Sequence, residues 1–478
     1  MSKHNISYIT FICCIASLNG VILGYDASVI SGAIEPLTKY FSLSPWESGW
    51  AVSNVLFGCV FGAWGVGSIA NKYGRKYTFI ISAIIFLVST IGSALATSFF
   101  WFVIYRMMGG LAIGMASALT PLYIAEMSPK DYRGRMLGLQ QLLMVGGQLV
   151  VYIVNYYIAK GMTAEWVETL GWRWMLASEI IPIVIFLVLV YFLPESPRWY
   201  AMVNKDNEAI KVLSKASNLD HAKNLLNEIK SSIRLEKDNE KVSLNAKQIF
   251  ANSKTRFIVL IGCAIAILQQ LIGINILLYY APSLLVNINE NIQDSLFQSI
   301  FLGAANFFGV CLALFLVDKF GRKPLLKFGC VGCAIFLIIS SIEFITGMKG
   351  YFPVVTLVLF VFTFGLSWSL GAWLIISEVF PNRMRAVGMG IAFSAMYISN
   401  FAVTQSFPMM NRSEYLMDKF NGSFPLIICA IFCLVGFWFV GRFLPETRGV
   451  SLEKIEPLIL ERSKKFSQTA TIHQVEVD

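Results

Sequence analysis

Charged residues are scarce in this sequence. Only 14% of its 478 residues are Asp, Glu, Lys or Arg, whereas 56% are hydrophobic. A soluble domain carries about 25% charged and about 45–50% apolar residues, so the composition excludes an ordinary water-soluble globular protein. It indicates instead a protein that crosses a membrane several times.

Several motifs of catalytic and ATP-driven proteins are also missing. The sequence has no G-x-x-x-x-G-K-[ST] phosphate-binding loop, which argues against ATP as an energy source. It has no H-E-x-x-H or G-x-S-x-G motif, so we expect no enzyme. The nine cysteines lie in or at the ends of apolar runs, where they are expected to pack as small hydrophobic side chains. We therefore predict neither a metal site nor a cofactor.

Twelve apolar runs are long enough to cross a bilayer, since a spanning helix needs about 20 mostly apolar residues. They lie near residues 8–30, 50–70, 77–97, 101–124, 137–159, 172–193, 254–286, 293–317, 325–346, 352–378, 387–410 and 424–444. A hydrophilic stretch separates the first six runs from the last six. We predict an all-α membrane protein with six-helix halves at 1–193 and 254–446, a cytoplasmic linker at 194–253 containing short amphipathic helices, and a cytoplasmic tail at 447–478.

The second half of the chain repeats motifs of the first half. NKYGRK at 71–76 returns as DKFGRK at 318–323, and PESPR at 194–198 returns as PETRG at 445–449. EMSPKDYRG also returns, as EVFPNRMRAVG, after nearly the same number of residues. Duplicated six-helix halves related by an axis along the membrane normal, with substrate bound between them, are the architecture of major facilitator transporters.

Lys and Arg are concentrated in alternate connections between the apolar runs, for example at 71–76, 130–135 and 318–323. This is the positive-inside pattern. It predicts a multi-pass protein of the plasma or inner membrane with both termini in the cytoplasm. The formal net charge of +9 therefore reports topology. We expect the lipid bilayer, and no nucleic acid, as a partner.

The segment GVILGYDASVISG at 20–32 places Asp26 inside the first apolar run. A charge at the centre of a spanning helix costs about 2.5–3.5 kcal/mol on insertion scales, so such residues are usually functional. The first helix is expected to run outward and the fourth inward, which puts Arg106 at a similar depth in the outer half. The two charges form either a permanent ion pair or a proton switch, in which Asp26 is protonated in one state and paired with Arg106 in another. We favour the switch.

Neutral amides are frequent among the polar residues expected at mid-depth. Gln141 and Gln148 lie seven residues apart on one face of the fifth helix, and Gln269, Gln270 and Asn275 lie in the seventh. For each amide the alternative role is an interhelical hydrogen bond, worth about 0.6 kcal/mol on average. Because amides both donate and accept hydrogen bonds, the set together predicts a site for a ligand rich in hydroxyl groups.

Each half also carries charged residues at its cytoplasmic connections. Opposite charges there can form a network that holds a cytoplasmic gate closed, and exposed pairs are weak enough to break and re-form during a cycle. The alternative is that they only anchor helix ends and set orientation. The predicted gate residues are Arg75, Glu126, Arg133, Glu195, Arg322, Glu378, Arg385 and Glu446.

In their order along the chain, NKYGRK, YIAEMSPKDYRGR, PESPRW, QQLIGINILLYYAP, DKFGRKP, SEVFPNRMRA and PETRG resemble the motifs of the sugar porter family of the major facilitator superfamily. The resemblance extends over nearly the whole chain and implies monosaccharide transport by alternating access. It implies sugar-contacting roles for Gln141, Gln148, Gln269, Gln270, Asn275, Tyr279, Trp373 and Asn400.

The resemblance also implies proton coupling, because proton-coupled members of the family carry an aspartate at the position of Asp26. We expect a symporter for a proton and a monosaccharide, D-xylose or a related pentose or hexose, that functions as a monomer. Leu23, Ser369 and Met396 depart from the pattern of xylose-transporting members, which leaves the sugar open. The alternatives are a facilitative uniporter for a sugar or cyclitol and, further away, a non-transporting sugar sensor.

Overall fold

A computed structural model describes residues 5–129, 132–240, 246–289, 292–381, 384–448 and 457–459. These residues form helices and no β-strand. Twelve helical spans in the described part of the chain are long and apolar enough to cross a membrane, which confirms the predicted fold class. They are α1 Ile6–Tyr40, α2 Pro45–Tyr73, α3 Arg75–Leu95, α4 Phe99–Met127, α5 Arg133–Ala159, α6 Ala164–Val190, α7 Ser253–Val286, α8 Ile292–Val317, α9 Arg322–Ile345, α10 Tyr351–Val379, α11 Val387–Asn411 and α12 Phe424–Phe443.

Three of these spans are interrupted. The α2 span consists of helices Pro45–Ser53 and Val55–Tyr73. The α6 span contains a π-helical turn at Val167–Gly171. In the α7 span, the helix Ser253–Leu271 is followed by a second helix at Ile274–Asn289. Interruptions of this kind free backbone groups from the helical ladder, so they need partners elsewhere in the protein.

The first span is longer than the sequence predicts. Its apolar run ends near residue 30, but the helix continues to Tyr40 with Pro36 inside it. Close to its end, the Lys39 ammonium lies 2.5 Å from a carboxylate oxygen of Glu168. The length of an apolar run indicates how much of a helix lies in the hydrocarbon core of the bilayer. The helix itself can extend beyond that core, as α1 does.

The segment between the two sets of six spans is also helical where it is described. Its helices are Pro197–Met202, Asp206–Ala216, Leu219–Glu240 and Ala246–Ala251. The first three pack their apolar faces on one another in a small cluster. The predicted domain boundaries after residues 193, 253 and 446 stay a prediction.

Packing divides the described chain into two compact units. Unit 1 consists of Met1–Lys241, Leu278–Val286 and Asn291–Gly303, and unit 2 of Val242–Leu277, Asn287–Glu290 and Ala304–Asp478. The second part of α7 and the first part of α8 therefore pack with the first six spans. This assignment matters for the site, because α7 carries several of the predicted sugar ligands.

In unit 1, aromatic packing fixes the chain that leaves α6. The Phe79 ring on α3 makes edge contacts with Tyr123 on α4 and Phe186 on α6, at centroid distances of 5.6 and 5.9 Å. The Tyr123 hydroxyl donates to the Pro194 carbonyl at 2.7 Å. Because these contacts hold Pro194, the next residue, Glu195, is positioned at the start of α3.

Candidate functional site

A buried ion pair joins α1 to α4 in unit 1. Asp26 and Arg106 are 2% and 3% exposed. The Arg106 Nη1 donates to Asp26 Oδ1, and Nη2 lies 3.5 Å from Oδ2. Paired guanidinium and carboxylate groups form charge-assisted hydrogen bonds, which are stronger than neutral ones. The structure thus brings together the two intramembrane charges that the sequence predicts to meet.

A second buried acid, Glu179 on α6, is absent from the residues predicted from sequence. It is 2% exposed and interacts electrostatically with both Asp26 and Arg106. The Thr90 hydroxyl donates to Glu179 Oε2 at 3.2 Å. Glu179 Oε1 and Arg106 Nε are both buried without a hydrogen-bond partner among the described residues. Arg106 therefore hydrogen-bonds to one carboxyl group, interacts electrostatically with a second, and keeps a donor that is not engaged.

The signal that points to Glu179 is the one that points to Asp26. Glu179 stands in ASEIIPIVIF, at the start of a long apolar stretch of the predicted sixth helix. An ionisable residue inside a spanning segment is by default a functional candidate. The rule that singles out Asp26 and Arg106 in the first and fourth helices therefore also applies to Glu179 in the sixth.

The predicted amides of unit 2 form a connected network at the break in α7. Asn275 Nδ2 lies 2.5 Å from Gln270 Oε1 and 2.8 Å from Asn400 Oδ1 on α11. The Thr404 hydroxyl also donates to Asn400 Oδ1, at 3.0 Å. Gln269 Oε1 is buried and has no hydrogen-bond partner among the described residues, so it keeps an acceptor for a ligand.

A glycine makes this arrangement possible. Gly273 has φ +96°, a left-handed conformation that side chains other than glycine rarely adopt. A Cβ atom there would also lie 2.3 Å from the Cys429 sulfur of α12. The backbone therefore turns between Gln270 and Asn275, and the turn lets their two amides meet.

The other predicted sugar ligands have different surroundings. In unit 1, Gln148 on α5 is buried and Gln141, two turns away, is half-buried, as is Tyr279 on α7. In unit 2, Trp373 on α10 is 38% exposed and its ring packs on Phe393 at 5.0 Å. No described contact joins Trp373 to the amide network. The three positions that depart from the family pattern, Leu23, Ser369 and Met396, are all buried.

The predicted gate charges form two ion pairs, one in each unit. In unit 1, Arg75 donates from Nη2 and Nε to the two oxygens of Glu126, at 2.8 and 3.0 Å. The guanidinium of Arg198, in the linker, also approaches Glu126, at 4.0 Å. In unit 2, Arg322 Nη2 lies 3.4 Å from Glu378 Oε1. The first pair is buried and bidentate, whereas the second is partly exposed and longer.

Glu195 and Glu446 have a role that the sequence does not reveal: they cap helices. The Glu195 carboxylate accepts the backbone N–H groups of Arg75 and Lys76, at 2.8 and 3.0 Å, at the start of α3. The Glu446 carboxylate accepts those of Arg322 and Lys323, at 3.0 and 3.1 Å, at the start of α9. The first N–H groups of a helix have no partner within it, so an acidic side chain stabilises them.

The glycine before each of these helices leaves room for its cap. Gly74 and Gly321 have φ of +95° and +91°. A Cβ atom at Gly74 would lie 2.3 Å from a carboxylate oxygen of Glu195, and one at Gly321 would lie 2.8 Å from a carboxylate oxygen of Glu446. The motifs NKYGRK and DKFGRK thus have the same local structure in both units, as expected of a duplicated chain.

The environment of Glu195 shifts its acid–base equilibrium. Burial raises the pKa of this carboxyl, and the N–H groups from which it accepts hydrogen bonds lower the pKa by less.

The remaining gate candidates, Arg133 and Arg385, make no ion pair among the described residues. Arg133 is exposed at the start of α5, and Arg385 Nε donates to the Phe380 carbonyl at 3.3 Å.

Twelve membrane spans, an intramembrane acid–base pair and an amide cluster at a helix break define a multi-pass membrane protein built to transport a polar solute. The family model described as "Sugar (and other) transporter" matches residues 12–459. The chain belongs to this family of sugar transporters, a non-enzymatic class.

Individual relatives match over almost the full length of the chain. It is 36% identical to the D-xylose-proton symporter of Escherichia coli (strain K12), covering 98% of this chain and 100% of that protein. It is 35% identical to the arabinose-proton symporter of Bacillus subtilis (strain 168), covering 95% and 96%. A solved structure, the inward open conformation of the E. coli xylose transporter XylE, superposes with a TM-score of 0.82 at 34% identity, covering 94% of this chain and all of that one.

Proposed function

We propose that this protein is a symporter that couples the import of a monosaccharide to the entry of a proton. The observation that carries the proposal is the buried Asp26–Arg106 pair. A sugar carries no charge for such a pair to bind, whereas a proton neutralises Asp26 directly. The two relatives named above as proton symporters support the same function.

The proton acts by changing the partner of Arg106. When Asp26 is ionised, it holds the guanidinium and keeps α1 and α4 together. When Asp26 takes up a proton, the attraction is lost and Arg106 is free to use its unengaged Nε. Glu179, with an unpartnered oxygen nearby, is the alternative partner. Since a buried charge without a partner is costly, the exchange of one acid for another keeps Arg106 compensated throughout.

The sugar binds to amides and aromatic rings. Gln269, Gln270 and Asn275 supply donors and acceptors at the break in α7, together with Asn400 from α11. Asn275 forms hydrogen bonds with two other amides. A sugar hydroxyl can replace one of these bonds at little cost, because a hydroxyl both donates and accepts and each amide therefore keeps its number of hydrogen bonds. Gln141 and Gln148 add hydrogen bonds from α5, and Tyr279 and Trp373 supply rings for the apolar face of the sugar.

The charged pairs Arg75–Glu126 and Arg322–Glu378, with the caps Glu195 and Glu446, form the cytoplasmic gate. Both termini and the linker lie in the cytoplasm, the protein resides in the plasma or inner membrane, and it functions as a monomer. The transport substrate is D-xylose or a related pentose or hexose. We infer that the departures from the family pattern at Leu23, Ser369 and Met396, each of them buried, determine which of these sugars is carried.

The test is a sugar panel in proteoliposomes, with D-xylose, L-arabinose, D-glucose and a cyclitol measured with and without an imposed pH gradient. A symporter accumulates its sugar when the outside is acidic, and addition of that sugar makes the medium alkaline. The facilitative uniporter, which is the alternative, equilibrates sugar without moving the pH. A sensor binds sugar but transports none.

A further inference from the structure

A proline leaves one carbonyl of α7 without a donor in its own helix. In an α-helix the N–H of each residue donates to the carbonyl four residues earlier, and proline has no N–H. Pro282 lies inside α7, so the carbonyl of Leu278 loses its helical partner. Tyr280, between the two, has the non-helical angles φ −123° and ψ 20°. A buried carbonyl of this kind needs another donor.

The donor is Tyr152 on α5. Its hydroxyl donates to the Leu278 carbonyl at 2.6 Å, and both residues are buried. The Tyr152 ring packs against α8 as well, because a Cβ atom at Gly303 would lie 2.6 Å from its Cδ2. One side chain of α5 thus contacts the second part of α7 and the first part of α8, and all three belong to unit 1.

We propose that Tyr152 is a latch: its hydroxyl holds the segment Leu278–Val286 on unit 1 and releases it once in each transport cycle. The inference rests on the proposed function, since a latch serves a carrier that opens and closes. The segment includes Tyr279 and lies close in sequence to Asn275, so its docking or release changes access to the sugar ligands. Tyr152 is a positioning residue and needs no contact with the sugar.

The combination of proline and tyrosine suits a reversible contact. A carbonyl that already accepts an N–H of its own helix gains little from a tyrosine hydroxyl. A carbonyl without that N–H needs another donor while it is buried, and water can take over as the donor once the site opens. Loss of a single hydrogen bond of this kind changes an equilibrium by about tenfold. A change of this size favours the docked state of Leu278–Val286 and still allows the segment to be released.

The first test is hydrogen–deuterium exchange on the full-length protein in lipid nanodiscs without sugar. Tyr152→Phe removes only the hydroxyl and should raise the exchange of residues 278–286 and 292–303 by about three- to tenfold. Tyr156→Phe is the matched control, because it removes a hydroxyl one turn further along α5, where the ring packs on Phe297 at 5.3 Å. Unchanged exchange in Tyr152→Phe, or equal increases in both variants, overturns the latch.

The second test is a double-mutant cycle with Pro282→Ala. Alanine supplies an N–H for the Leu278 carbonyl, which makes the Tyr152 hydroxyl redundant. Tyr152→Phe should therefore raise exchange in the protein that keeps Pro282 and have little effect in the Pro282→Ala background. A purely structural role for the ring predicts the same effect in both backgrounds, and that result would reject the proposal. Because the readout is exchange, it decides on the latch even if the transport assay shows no coupling to protons.

Discussion

Arg106 on α4 is paired with Asp26 on α1 through both of its terminal nitrogens, and the two side chains are nearly excluded from solvent. Breaking a buried pair by removing one partner typically costs about 3–5 kcal/mol, because an uncompensated charge remains. Protonation of the acid lowers that cost if the arginine finds a second acid. Glu179, which interacts electrostatically with both members of the pair, is that second acid in the proposed exchange.

Glu179→Gln should make proton-driven uptake require a more acidic medium. Glu179 is the second partner of Arg106 in the proposed exchange, so its removal leaves Arg106 without a partner when Asp26 is protonated, and this opposes the protonation. We expect the pH of half-maximal uptake to fall, measured as initial rates in proteoliposomes at a series of external pH values. Glu165→Gln, at the polar start of α6, is the control. A shift toward alkaline pH would contradict the proposed exchange.

Asn275→Ala should weaken sugar binding strongly. Asn275 bonds to both Gln270 and Asn400, so its loss takes a partner from two buried amides and removes a ligand of the sugar. We expect KM for the transported sugar to rise by roughly 10- to 100-fold, on the order of 1.4–2.8 kcal/mol. Ser394→Ala, whose hydroxyl bonds within α11, serves as the control and should leave KM unchanged. An unaltered KM in Asn275→Ala would remove this network from the sugar site.

The two gate pairs should differ in their tolerance of lysine. Arg75 uses two nitrogens on Glu126 in a buried setting, whereas Arg322 approaches Glu378 at 3.4 Å with both side chains partly exposed. A lysine cannot reproduce the two-pronged contact, so Arg75→Lys should reduce the transport rate more than Arg322→Lys does. The measurement is the maximal uptake rate of the two variants at equal expression. Equal losses of uptake rate in the two variants would show that the bidentate contact between Arg75 and Glu126 is not required for transport.

The pH dependence of thermal stability tests the cap formed by Glu195. Its pKa is raised by burial, so the folded protein holds this proton more tightly than the unfolded chain does. The stabilising contribution of the protonated form is therefore complete below the ordinary pKa of 4.5 and is lost as the pH rises through the higher folded value. Relative to Glu195→Gln, wild-type melting temperature should fall as the pH increases from about 4.5 toward neutrality. A wild-type advantage that grows with pH would mean that the pKa is lowered.

Much of the fold is predictable from the sequence, because lipid imposes a simple rule on spanning helices. The twelve apolar runs and the repeated motifs follow from composition and spacing alone, and the matching depths of Asp26 and Arg106 follow from helix direction. The bond between Asn275 and Asn400 is different, since it joins residues far apart in sequence. Only their shared amide character and the family resemblance placed them in one predicted site.

The parts that the sequence did not reveal depend on tertiary contacts. Glu195 and Glu446 suggested ion pairs, but their carboxylates bond to backbone N–H groups, which carry no signature in the sequence. The role of Tyr152 depends on a proline in another helix. Glu179 could have been identified as a candidate from the sequence, because an acid in a spanning helix is costly wherever it occurs. Its interaction with Arg106 depends on the tertiary structure.

Proton coupling through Asp26 is tested by comparing wild-type protein with Asp26→Asn in proteoliposomes that carry an imposed pH gradient, acidic outside. Asp220→Asn, on an exposed helix of the linker, controls for the loss of an acid. Wild type and Asp220→Asn should accumulate sugar above its external concentration. Asp26→Asn should only equilibrate sugar and should still exchange internal for external sugar. Gradient-driven accumulation by Asp26→Asn equal to that of wild type would show that Asp26 does not carry the coupled proton.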